Sequence, residues 1–124
     1  MIVTPNILIV EDDDWLAEQY ARLLTNNGFK TIVALHALSA IRIIDETNPD
    51  AIVLDVLLTG NTAFALLHEL QSYSDTGSIP IILCTNLAND LLISDLEPYG
   101  VKIILDKATM KPDDLVLAIR HALL

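Results

Sequence analysis

The stretch Ile7-Leu8-Ile9-Val10-Glu11-Asp12-Asp13-Asp14 decides the fold, because an aliphatic run of strand length passes directly into a run of acids. Continuous apolar character without alternation marks a strand buried on both faces, as in a parallel sheet covered by helices. The same pattern recurs along the chain. Lys30 to Leu35, Ala51 to Leu54, Ile81 to Cys84 and Val101 to Leu105 read as further strands, and the third is the most continuously apolar and so central. Helical periodicity fills the gaps. A first helix is predicted over Asp14 to Asn27, with Leu16, Tyr20, Leu23 and Leu24 on one stripe and Asn27-Gly28 as a left-handed stop. A second carries Ala37, Ala40, Ile41 and Ile44 and ends at Asn48-Pro49. After a loop from Val56 to Asn61, Thr62 caps a third helix bearing Phe64, Leu67 and Leu70. A fourth is expected over about Ala88 to Glu97, broken by Pro98 and Gly100, and a last one starts at Pro112 with Asp113 and Asp114 in its first turn. Strand and helix alternating five times predict an α/β fold, a doubly wound five-stranded parallel sheet with five helices, as one domain over residues 1–124.

Composition narrows the function classes. A formal net charge of -10 argues against a direct nucleic-acid or anionic-membrane surface, since phosphates would repel it. The lone Cys84 excludes an internal disulfide and sits in an apolar run as a packing residue, which suits a reducing cytoplasm. The N-terminal residues lack a signal-peptide pattern, and no apolar run approaches the about 20 residues that span a bilayer, so a soluble, cytoplasmic protein is expected. His36, His68 and His121 are dispersed without metal-ligand spacing and read as exposed residues. Trp15 reads as packing on the rim beside the acids.

Ligands of open α/β sheets bind at the carboxyl ends of the strands. Glu11 and Asp12, Asp55, Thr85 and Lys107 all fall at such ends. Alone, each has a bland reading: a helix-capping acid, a strand-end acid, a hydroxyl satisfied by backbone, a surface lysine. Together they form a candidate cation and anion site. Magnesium takes oxygen ligands from one or two carboxylates, waters and a phosphate. Asp12 and Asp55 suit it directly, Glu11 through a bound water, and the Leu57 carbonyl as a further ligand. With the metal and Lys107 balancing the crowded acids, Asp55 is placed to act as a nucleophile toward phosphorus, and the Thr85 hydroxyl to bind a phosphoryl oxygen.

These residues and their spacing resemble the receiver domain of two-component response regulators over nearly the whole chain. The matching segments are Ile7 to Asp13, Ile52 to Val56, Ile81 to Thr85 and Ile104 to Lys107, with Asp12 to Asp55, Asp55 to Thr85 and Thr85 to Lys107 separated by 43, 30 and 22 residues. The resemblance implies a flavodoxin-like strand order 2-1-3-4-5 and a phosphorelay role. In that role Asp55 accepts phosphate from a histidine kinase or phosphotransfer protein, Glu11 and Asp12 hold magnesium, Lys107 binds the phosphoryl oxygen, and Thr85 moves as the switch. The output surface would meet a downstream protein or form a homodimer through the fourth helix, fifth strand and last helix, where Leu91, Leu92, Ile93 and Leu96 are apolar on more than one face.

The sequence also departs from that family. Thr59 and Ala63 stand where a proline and a glycine are usual, Asn86 replaces a small residue after Thr85, and Ala108 replaces the proline after Lys107, so no cis peptide is expected there. Lys111-Pro112 imitates that dipeptide but begins a helix. Ile104 holds the place of a switch aromatic, so coupling must run through backbone or helix shifts. These departures keep open an alternative, a degenerate receiver acting as a phosphorylation-independent interaction module. An aspartate-nucleophile phosphatase wants an acid at Leu57, and a flavin site would not place four acids after the first strand, so an enzyme is not expected beyond self-catalysed phosphorylation and dephosphorylation. Whether the chain stands alone or belongs to a longer protein stays open.

Overall fold

The computed structural model describes residues 4–57, 62–73 and 75–124. The expectations for Thr59 and the Thr62 cap lie outside the described residues and side chains. The strands are β1 (Asn6–Val10), β2 (Lys30–Ala34), β3 (Ala51–Leu54), β4 (Ile81–Thr85) and β5 (Val101–Asp106). Between and after them run α1 (Asp14–Asn26), α2 (Ala37–Thr47), α3 (Thr62–Gln71), α4 (Ile93–Leu96) and α5 (Pro112–Ala122). All neighbouring strands pair in parallel, in the order β2-β1-β3-β4-β5. The central β3 is buried at all four positions, as its unbroken apolar run requires.

Successive strand residues face opposite sides of the sheet, and each side supplies its own core. Leu8, Val10, Ile52, Leu54 and Leu83 pack under α2 and α3. Ile7, Ile9, Val53, Ile82 and Cys84 pack under α1 and α5 with Tyr20, Leu24, Leu115 and Ile119. In α3 Leu67 and Leu70 are buried as expected, with Ala63 and Leu66 completing the inward stripe, whereas Phe64 is 40% exposed. The stop after α1 is as expected, with Gly28 at φ +92°. The end of α2 differs in detail. Asn48 adopts the left-handed conformation, φ 47° and ψ 68°, rather than the extended one favoured before proline.

The fourth crossover departs most from expectation. In place of a helix over Ala88 to Glu97, a 3-10 turn spans Ala88–Asp90, Leu91 and Leu92 are extended, α4 makes one turn, and a second 3-10 turn covers Glu97–Tyr99. The physical reason lies in which leucines need burial. Leu91 and Leu96 both pack into the core under α2 and α3, yet five residues along one helix separate two side chains by about 140°. Breaking the helix lets both turn inward. Asn89 and Asp90, poor helix formers, occupy the first turn, while Pro98 and Gly100 at φ +88° close the last.

Candidate functional site

Sheet register assembles the site. Val10 pairs with Leu54, and Leu54 with Leu83, so the residues that follow them emerge on one edge of the sheet. Thr85 pairs with Asp106, which brings Lys107 alongside, and the Lys107 amide bonds the Thr85 carbonyl at 3.1 Å. The amides of Glu11 and Asp55 continue the ladder, to the Ala34 carbonyl at 3.1 Å and the Val10 carbonyl at 3.3 Å. Backbone geometry thus sets four side chains before any of them interacts.

The Lys107 ammonium donates to Glu11 Oε1 and to Asp55 Oδ2, each at 2.5 Å. Both carboxylates are buried, Glu11 at 2% exposure and Asp55 at 4%. One ammonium between two acids leaves a formal charge of about -1 in a pocket of low dielectric, which is the condition for attracting a further cation. Burial holds the Glu11 carboxyl above its ordinary range, against the opposing pull of the Lys107 hydrogen bond. For Lys107 burial acts downward, but the hydrogen bonds to Asp55 and Glu11 outweigh it and raise the ammonium above its usual value.

The remaining acceptors are tied to local backbone. Asp55 Oδ1 accepts from the Leu57 amide at 3.0 Å, Thr85 Oγ1 from the Leu87 amide at 3.1 Å, and Glu11 Oε2 from the Asp13 amide at 3.2 Å. Each side chain bonds the amide two residues on, a habit of acids and hydroxyls at turns that reading for function overlooked although the residue types signal it. Thr85 is fully buried, with its oxygen facing the β4 end. Its oxygen accepts one bond, from the Leu87 amide, and among the described residues its O–H is bonded to no acceptor.

Asp12 lies exposed on the turn next to Glu11, and Leu57 is half exposed beyond Asp55. Among the described residues no three acid, histidine or cysteine side chains stand close enough to share a metal ion; Lys107 is the cation the acids hold here. Asp13 serves as the α1 cap, its Oδ1 accepting from the Leu16 amide at 3.1 Å, and Asp14 is a first-turn acid. Trp15 is 68% exposed, so little of it is covered by the described residues. Cys84 is buried, and that burial pushes its thiol up to about 12, as befits a packing residue. Asn86 is exposed, Ile104 is partly buried against the core, and no peptide bond among the described residues is cis. Lys111-Pro112 does begin a helix, with the Lys111 amide bonded to Asp114 Oδ2 at 2.8 Å.

The response regulator receiver domain family matches residues 7–120 of the chain. This protein belongs to that family. It is similar to the transcriptional regulatory protein AfsQ1 of Streptomyces coelicolor, 32% identical over 79% of the chain and 44% of the relative. It is also 31% identical to the sensory transduction protein RegX3 of Mycobacterium tuberculosis, over 95% of the chain and 50% of the relative. The chain therefore spans about half the length of these relatives. Among solved structures, the signal receiver domain of a signal transduction histidine kinase from Syntrophus aciditrophicus superposes with a TM-score of 0.81 at 29% identity, covering 97% of this chain and 90% of that one. The chain is a receiver of the two-component type, a signalling module and not a classical enzyme. Among its described residues no helix is long and apolar enough to cross a membrane.

Proposed function

We propose that residues 1–124 act as one phosphoacceptor switch, in which Asp55 takes a phosphoryl group from the phosphohistidine of a histidine kinase or phosphotransfer protein. The observation that carries this reading is the Lys107 ammonium 2.5 Å from the buried Asp55 carboxylate, with Glu11 on its other side. An Asp55 oxygen forms the new P–O bond as the P–N bond breaks, and the departing imidazole nitrogen keeps that electron pair. The Leu57 amide on Oδ1 and Lys107 on Oδ2 fix the plane of the carboxylate for in-line attack. Lys107 can follow the phosphoryl oxygens as charge builds on them, and the Thr85 O–H can donate to one of them once its oxygen leaves the Leu87 amide.

The donor set fits a hard divalent ion: oxygen ligands only, two of them buried carboxylates, with excess negative charge. Glu11, Asp12, Asp55 and the Leu57 carbonyl are the residues that would hold magnesium, after a closing movement, because among the described residues no three acids stand within reach of one ion here. Bound there, it would neutralise charge on the transferring group. The switched surface is assigned to α4, β5 and α5, where Leu92, just before α4, and Leu117 in α5 are 66% and 60% exposed, and its partner is a downstream protein or a second copy.

Incubation with acetyl phosphate and magnesium tests the reading. A hydroxylamine-labile phosphoryl adduct is expected on the wild type and none on Asp55→Asn. No adduct on either, or an equal adduct on both, would sink the proposal and leave a phosphorylation-independent interaction module.

A further inference from the structure

On the face of the fold away from α1 and α5, α2 and α3 leave between them a groove of about 260 Å³. Ile44 and Leu70, 2% and 3% exposed, form its floor, and its accessible carbon is that of Ile41, partly buried, and of Tyr73, 57% exposed. Three carboxylates, Asp45, Glu69 and Asp75, also line it. Among the described residues no lysine, arginine or histidine does. Two of the chain's ion-paired acids, Glu11 and Asp55, share Lys107, and a third, Glu18, pairs with Arg22; none of these lies in the groove.

We propose that this groove docks an arginine-bearing amphipathic segment of a partner protein. Charge complementarity selects the cation, and the apolar walls select its carrier. A bare metal ion wants oxygen donors all round, which Ile41, Ile44 and Leu70 do not offer. A guanidinium on an aliphatic stem offers a counterpart to each kind of lining group: a stem for the carbon of Ile41, a planar fork for the carboxylates, and a face for the Tyr73 ring. An ammonium would satisfy fewer of these at once, so arginine is preferred over lysine. An acidic or neutral apolar segment would bring carbon onto the groove but leave its three charges unpaired. The site is separate from Asp55, and its occupancy does not require phosphate on that residue.

The test uses the whole chain, 15N-labelled, unphosphorylated and free of magnesium. The probe is an amphipathic peptide with two arginines one helical turn apart, beside a twin with glutamine at both positions. Amide shifts are expected to concentrate at Ile41, Leu70 and Tyr73 with the arginine peptide and to vanish with the twin. The combined Asp45→Asn, Glu69→Gln, Asp75→Asn variant should bind about tenfold more weakly. A variant losing three charges elsewhere, Asp14→Asn, Glu18→Gln, Asp50→Asn, should bind within about twofold of the parent, and Tyr73→Ala should weaken binding about fivefold. Equal weakening in the two triple variants, shifts spread over the acidic surface, or equal binding of the glutamine twin would overturn the proposal. Because no phosphoryl donor is present, these outcomes are independent of whether Asp55 is a phosphoacceptor.

Discussion

The strand ends carrying Glu11, Asp55 and Lys107 and the crossover from Ala88 to Tyr99 lie side by side in the fold but obey different constraints. At the strand ends, each functional residue follows a buried strand whose register is held by two neighbours, or one at the sheet edge, so a single residue of slippage would turn core leucines and isoleucines outward. The crossover has no such rail. Its path is a compromise between local helix preference and the need to bury Leu91 and Leu96 together, and burial prevails. Sites on strand ends are therefore placed by the whole sheet, and segments such as α4 by a few side chains.

The largest effect that probes this contrast is the removal of Lys107. Two buried carboxylates would then face each other without their shared ammonium, so Lys107→Ala should lose about 3–5 kcal/mol in a urea melt and lose phosphorylation of Asp55 as well. A change below about 1 kcal/mol would mean that the acids relax into solvent and that the cluster is not held by the sheet. On the crossover, Leu96 is 5% exposed and anchors α4. Leu96→Ala should lose about 2–4 kcal/mol by the same measurement, comparable to a core leucine even though its helix is a single turn.

The difference in constraint also explains what could be read from the sequence. Strand positions, their parallel pairing and the convergence of Glu11, Asp55, Thr85 and Lys107 were legible, because continuous apolar runs ending in polar residues have few other solutions in an α/β chain. The break at Leu91-Leu92 was not, since Leu91, Leu92, Ile93 and Leu96 suit a helix locally and only the position of the core beneath them decides otherwise. Phe64 and Trp15 went the same way: a large apolar residue near a helix start says nothing of which side of the axis the sheet lies on. The Asp55 bond to the Leu57 amide was foreseeable from residue type, but reading Leu57 for its carbonyl hid its N–H.

Acid and base dependence sharpens the comparison from the site's side. Burial raises the Glu11 carboxyl above its ordinary 4.5, so the folded state holds that proton longer than the unfolded chain does. Stability should then fall as pH rises from 4.5 through the raised value, by at most about 1.4 kcal/mol per pH unit from this one group. Lys107 works in the other window. Its contribution is present in full below 10.5 and is lost as pH climbs through its raised value. Urea melts across pH should show the acid-side decline shrink in Glu11→Gln while the alkaline loss remains. An unchanged acid-side decline would assign it to another group.

The smallest effect expected comes from a substitution that would normally be severe. Ile93 is the first residue of α4, 37% exposed, and it follows Leu92 in an extended conformation, φ -107° and ψ 124°. That is the geometry a residue before proline prefers, and the first helical position is where a missing amide hydrogen leaves nothing unpaired. Ile93→Pro should therefore alter stability by no more than about 1 kcal/mol. In an unbroken helix over Ala88 to Glu97 the same proline would fall mid-helix, removing a hydrogen bond and clashing with the preceding turn, at about 3 kcal/mol or more. A urea melt that separates these two values tests directly whether burial of Leu91 and Leu96 has overridden local helix preference in this crossover.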